Sequence, residues 1–92
     1  MLKITVFAKE FDGKNGKFLK VSCKGKYLPL IECNDEEYYN VRIQGDLQNA
    51  IKSSGEWDIA FETRHDIWLD KRPEAVEKNL VHVKAIKVLK IA

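Results

Sequence analysis

Strict alternation is the feature that most limits what this chain can become. In "LKITVFAKEF", residues 2–11, Leu2, Ile4, Val6 and Ala8 fall on one parity, and Lys3, Thr5, Phe7, Lys9 and Phe11 fall on the other. A period of two sends successive side chains to opposite faces of a β-strand, so one face is built for a core and the other for solvent. The pattern recurs in "KFLKVSCK", where Leu19, Val21 and Cys23 oppose Phe18, Lys20, Ser22 and Lys24. In "YYNVRIQ", Tyr39, Val41 and Ile43 oppose Tyr38, Asn40, Arg42 and Gln44; in "EWDIAFE", Trp57, Ile59 and Phe61 oppose Glu56, Asp58, Ala60 and Glu62. The last strand, "LVHVKAIKVLKI", carries Val81, Val83 and Ala85 on one parity and Ile86 and Val88 on the other. A bulge near Ala85 would turn both sets inward and leave His82, Lys84, Lys87 and Lys90 outside or at the rim.

The segments between these runs are turns, one helix and one long excursion. "DGKNG", residues 12–16, is rich in residues that tolerate a positive φ and reads as the turn after the first strand. Pro29 argues against a central strand in "KGKYLPLIECNDEE", which reads as an edge segment or extended loop. In "GDLQNAIKSSG" the period changes: Leu47, Ala50 and Ile51 form one helix stripe, with Asp46 as N-cap and Gly55 as the stop. That predicts a helix of about two turns over 46–54, too short to stand unpacked. Residues 63–79 form a connection far longer than a hairpin loop, with a helical turn begun by Pro73, and are expected to be mobile. The order is three strands, a short helix, then two strands. This is the element order of an OB-type barrel, mainly β, five-stranded, with one short helix between strands 3 and 4. An SH3-like barrel is the rival, but it carries only a 3₁₀ turn where this chain has a capped helical stripe.

Ninety-two residues, 45% of them apolar, suit one OB-like domain spanning 1–92. No apolar run approaches the ~20 residues of a membrane span. The opening "MLKITVFAKE" lacks the long apolar stretch and cleavage site of a signal peptide, so a cytoplasmic protein without membrane association is expected. Cys23 and Cys33 match no metal spacing and read as reduced core thiols. The net charge of +2 hides a segregation. Residues 1–26 hold seven Lys against two acids, residues 27–70 hold three basic groups against ten acids, and residues 71–92 hold six against two. Folded together, the two basic ends would make a face suited to a polyanion.

Single-stranded nucleic acid asks for cations to track phosphates and flat rings to stack on unpaired bases. On an OB-type barrel the ligand face is built from strands 2 and 3 and the loops joining strands 1–2 and 4–5. The residues meeting both demands there are Phe18, Lys20 and Lys24 from the second strand and Tyr38 and Arg42 from the third. Lys9, Phe11, Lys14 and Lys17 flank the first loop, and Arg64, Trp68, Lys71 and Arg72 lie in the long connection. Strand 4 need not carry the ligand face, which would keep Glu56, Asp58 and Glu62 out of the way. The bland alternative for each aromatic is β-propensity alone. On that reading Phe7 is covered by a neighbour, Tyr27 and Tyr39 are core or rim, and Trp57 and Phe61 are core.

The arrangement resembles the small single-stranded-DNA-binding proteins of phages and mobile elements, such as the filamentous-phage gene V protein family. The matching features are "MLKITV" leading into an alternating strand, "GKF" placing Phe18 as a stacking ring after Gly-Lys, "YYNVRI" with Arg42 as its cation, and Trp68 ahead of the final strand. The resemblance implies an OB-type homodimer that binds single-stranded DNA with little sequence preference during replication or recombination. The helix at 46–54 and the acidic centre depart from that pattern. Two other readings remain open: the same face binding RNA, since stacking does not distinguish the sugars, and a protein-binding adaptor with Phe7, Phe11 and Trp68 as an apolar patch. No catalytic, cofactor or metal constellation stands out, so a non-enzymatic protein is expected; His65-Asp66 reads as solvated and Asp35-Glu36-Glu37 as an acidic turn.

Overall fold

The longest alternating run becomes the longest strand. A computed structural model describes residues 1–74 and 78–91. Strand β1 spans Leu2–Gly13 and divides its pairing between two neighbours. Its first part, Leu2 to Ala8, pairs antiparallel with β4 (Gly55–Phe61), and its second, Phe7 to Gly13, pairs antiparallel with β2 (Gly16–Lys24). The β1–β2 turn is tight, Gly13 facing Gly16 across Lys14 and Asn15. Gly16 sits at φ 111°, a conformation that glycine takes without steric cost. Beyond Ala8 the β1 residues are exposed on both faces, so this end of the hairpin projects past the core as an arm.

Strand β3 (Tyr38–Gln44) pairs antiparallel with β2 and parallel with β6 (Leu80–Lys84). A short β5 (Ile67–Leu69) adds to the far side of β6, and β7 (Lys87–Lys90) adds to β4. The result is one seven-stranded sheet in the order β5-β6-β3-β2-β1-β4-β7. Only Ala85 and Ile86 separate β6, near one end of that order, from β7 at the other. A two-residue link between opposite sides obliges the sheet to curl on itself, although it stays open, with no ladder between β6 and β7.

The core lies inside this curl. Ile4, Val6, Cys23, Tyr39, Val41, Ile43, Trp57, Ile59, Phe61, Val81 and Val83 are buried together on the predicted parities. Ile67 from β5 and Leu28 and Cys33 from the β2–β3 connection complete it. Cys23 and Cys33 are buried and unbridged; burial, with Cys33 beside it, pushes the Cys23 thiol up to about 11. That connection, with Pro29 in it, is a loop: a 3₁₀ turn at Gly25–Tyr27 followed by bends. Gly25 is required there, because a Cβ would overlap the Asn34 carbonyl and crowd the Tyr39 ring.

The structure corrects several expectations. Among the described residues the strands number seven rather than five, and no helix forms over 46–54. Residues 46–49 make successive turns closed by Gln48 N–H to the Gly45 carbonyl (3.2 Å) and Ala50 N–H to the Leu47 carbonyl (3.0 Å). The stripe still does its work, since Leu47 and Ile51 pack on the core, but two turns are too few to offset the cost of helix nucleation. Gly55 does not end a helix; it begins β4 at φ 131°. The final strand breaks at Ala85–Ile86 instead of bulging, which turns Val88 toward the core and leaves Ile86 exposed. Ala60, placed outward by parity, is buried, and its carbonyl accepts from Ile86 N–H at 2.8 Å. Within the long connection, residues 64–69 form a capped 3₁₀ turn at Arg64–Asp66 and then β5, which pairs with β6. The helical turn expected from Pro73 lies largely outside the described residues.

Candidate nucleic-acid interface

The outward parities of β1, β2 and β3 form one continuous surface because antiparallel partners share a face. Three rungs of the β1–β2 ladder define it. Phe7 faces Ser22, Lys9 faces Lys20, and Phe11 faces Phe18. The Phe11 and Phe18 rings stack at 5.8 Å with an interplanar angle of 25°. This rung has an evident structural use, since a cross-strand aromatic pair stiffens an arm that has no core beneath it. Phe18 nonetheless remains 52% exposed, so much of its ring stays open. Lys9 reaches over the Phe11 ring, its Nζ 5.5 Å from the centroid.

Lys9 and Lys20 are direct cross-strand neighbours of like charge, an arrangement that is unfavourable by itself. No ion pair relieves either among the described residues, whereas the next cation along, Lys17, meets Glu10 at 3.5 Å. Tyr38, 64% exposed, continues the face onto β3 opposite Lys24. Lys9, Phe11, Lys20, Ser22, Tyr38 and Asn40 surround a groove of about 420 Å³, closed at its far side by Lys78 and Asn79. No acid lines it. Sequence reasoning missed Lys78 and Asn79, which adjoin the start of β6. Asn79, at φ 56°, donates from Nδ2 to Glu37 and passes its carbonyl to Asn40 N–H at 2.8 Å, which brings Lys78 against β3. An Asn before a strand is a turn signal, but nothing local says which strand it will abut.

The other expected residues are dispersed around this groove. Lys14 sits at the exposed hairpin tip. Lys24 is half-buried and pairs with Glu36 at 3.6 Å. Arg42 lies outward on β3, between a cleft against β2 and a second depression under β5. Arg64 is exposed on the 3₁₀ turn, whose Thr63 and Asp66 cap each other. Lys71 is held by Glu32 at 2.8 Å. The acids of β4 are not remote: Glu56 adjoins Phe7 on the same face, and Asp58 binds Thr5 Oγ1 at 2.7 Å and Lys3 at 3.4 Å. They bound the basic face along β1. Phe7 is not covered by a neighbour, being 52% exposed, but it stands at this acidic border.

The depression of about 470 Å³ under β5 holds a cluster that sequence reasoning placed outside. His82, expected at the rim, is only 8% exposed. It is flanked by β3 and β5, which its parity alone could not reveal. Its Nε2 lies 2.9 Å from Asp70 and its Nδ1 lies 2.7 Å from the Gln44 amide. Both ring nitrogens are thus engaged, one by an amide and one by a carboxylate. Trp68 stacks on the other side of the imidazole, with 5.4 Å between centroids. The Asp70 side chain is 2% exposed and accepts two parallel bonds from Arg72, from Nε at 3.0 Å and Nη2 at 2.8 Å. That guanidinium, followed by His82, holds the Asp70 carboxyl far below its ordinary range. Arg72 and Trp68 are therefore fixed in place on this side. Among the described residues no cluster of His, Cys, Asp and Glu has the makings of a metal site.

No protein-family model, curated protein or solved structure matches this chain. None of the described helices is long and apolar enough to cross a membrane.

Proposed function

We propose that this protein binds single-stranded nucleic acid, DNA in the first instance, along the outer face of β1, β2 and β3. The observation that carries the reading is the groove between Phe11, Tyr38 and the unrelieved Lys9–Lys20 rung. Two rings and three lysines line it, and no acid among the described residues does. Bases stacking on Phe18 and Tyr38 would place their phosphates near these lysines, and a bound polyanion would remove the repulsion between them. Trp68 and Arg72, fixed by His82 and Asp70, extend the face toward β5. The protein acts by binding, without catalysis, in the protection or organisation of strands during replication or recombination.

We propose further that the sheet is an OB-type barrel. The pairings of β1 with β2 and β4, of β3 parallel with β6, and of β4 with β7 suit an OB-type barrel whose fifth strand is broken at Ala85–Ile86. β5 is then an addition within the connection between strands 4 and 5. Likeness to the phage single-strand binders rests on this topology and on the short motifs, and it favours a homodimer.

Titration with oligo-dT, oligo-rU and duplex DNA tests the function. The expected result is binding of single strands well above duplex, with tryptophan quenching. Binding indifferent to strandedness would reject the stacking face, and an apolar protein partner at Phe7 and Phe11 would become the better reading.

A further inference from the structure

The β2–β3 ladder is shorter than its strands. Cα register runs only through Lys24–Tyr38, Cys23–Tyr39 and Ser22–Asn40, although β2 extends back to Gly16 and β3 on to Gln44. Gly25 N–H bonds the Glu37 carbonyl at 2.8 Å, so by antiparallel alternation the bonded pairs beyond Cys23–Tyr39 would be Val21 with Val41 and Leu19 with Ile43. Neither pair is in register. The strands part there, and a cleft of about 610 Å³ opens between them, within the ~300–1,000 Å³ typical of small-molecule sites. Its walls are apolar, from Leu19, Val21, Val41 and Ile43. The turns that replaced the expected helix form its rim, bringing Gln48, Asn49 and Lys52 to the mouth.

We propose that this cleft receives one unstacked base of the bound strand and makes binding selective for that base. The inference rests on the single-strand reading and goes beyond it, because stacking and phosphate contacts alone are indifferent to sequence. Three features favour a base as occupant. The cleft is continuous with the proposed face, since Lys20 and Asn40 line both it and the groove. Among the described residues it is lined by Lys20 and Lys52 and by no acid, which suits a polyanion over a neutral or acidic peptide. The side-chain amides of Asn40, Gln48 and Asn49 stand at its edge and make no hydrogen bond among the described residues, so each has donors and an acceptor to offer a base edge. A site that hydrogen-bonds its ligand rejects analogues that leave those groups unpaired.

The test compares short homo-oligomers of dT, dC and dA on the wild type and on the double variant Gln48→Ala, Asn49→Ala, at matched salt. Both positions are exposed in a turn held by backbone bonds, so the fold survives the change; a thermal melt confirms it. The wild type is expected to separate the best and worst bases by about ten-fold or more, the scale of one well-made bidentate contact. The variant should compress that spread to about three-fold or less, with an unchanged salt slope, because no phosphate contact is lost. Equal affinity for all three homo-oligomers, or a spread that the variant leaves intact, overturns the base cleft while the stacking face stands. Failure of every oligomer to bind overturns both. Binding of poly-glutamate, lost in Lys52→Ala, with no oligomer bound, would make the cleft a peptide site instead.

Discussion

Removing the Phe18 ring takes away half of a stacked pair that stands outside the core. Phe18→Ala should cost about 0.5–1.5 kcal/mol of stability from the lost Phe11 contact. It should cost about 1–3 kcal/mol of single-strand affinity for each base that stacked on it. Trp57 is the opposite case. It is buried, and its Nε1–H donates to the Ser53 carbonyl at 2.9 Å, so Trp57→Ala should destabilise the protein by about 3–5 kcal/mol as a core truncation. Urea melts beside oligo-dT titrations read both effects, and a reversal of the two would invert the face assignment. Asp70 predicts a pH dependence. Its carboxyl titrates lower in the folded protein than its ordinary value of 3.8, so the charge it keeps adds stability above that pH, and the contribution is lost as pH falls below it toward the folded pKa. The melting temperature of the wild type should exceed that of Asp70→Asn near neutrality, and the two should converge on acidification below pH 3.8. A gap that persists unchanged in acid would mean that the carboxylate charge is not what Arg72 and His82 hold.

Among elements, the β1–β2 arm and β5 carry the separable parts of the proposed site. The arm's geometry depends on Gly16 at φ 111°. Gly16→Ala has open space for its methyl group, so the cost is conformational alone, about 1–3 kcal/mol. With no core under the arm, that strain should loosen the tip and lower oligo-dT affinity before it unfolds the protein, which amide exchange along Phe11 to Phe18 would follow. β5 is only three residues long, yet it is tied down by pairing with β6, by Asp70 N–H to the Leu80 carbonyl at 2.8 Å, and by the stack of Trp68 on His82. Trp68→Leu keeps apolar cover over the imidazole and removes most of the π-face. A stacking Trp68 predicts weaker oligo-dT binding and loss of most fluorescence quenching, with little change in melting temperature. Equal affinity for the two proteins would remove β5 from the proposed site.

At the scale of the whole molecule, the sheet gathers the basic beginning and part of the basic end of the chain onto one side. β1 and β2 supply Lys9 and Lys20, and the entry to β6 supplies Lys78. If about four phosphates are neutralised there, log K should fall with log salt at a slope near −3, from ~0.7 counterions released per contact on a single strand. Lys20→Ala should reduce that slope by about 0.7. A slope near zero would mean that the segregated charge serves solubility and not a polyanion.

The alternation by itself determined which side chains of β1 to β4 face the core, Ala60 excepted, because parity is a local property that any pairing must respect. It also exposed the ring-and-lysine face, and Phe11, Phe18, Lys20 and Tyr38 stand outward as their parity requires. What parity could not decide was everything set by partners distant in sequence. His82 has the parity of a rim residue and is buried because β3 and β5 close on either side of it. Asp70 and Arg72 read as loop charges and pair locally, but it is β6 that brings His82 onto the same carboxylate. The stripe at Leu47, Ala50 and Ile51 was real, but the contacts open to a segment that short favoured turns over a helix, and its polar residues became the rim of a cleft. The parting of β2 from β3, and the break that splits the last strand between two sides of the sheet, follow from curling the sheet around a small core. That is a demand of closure in three dimensions, and no window of sequence contains it.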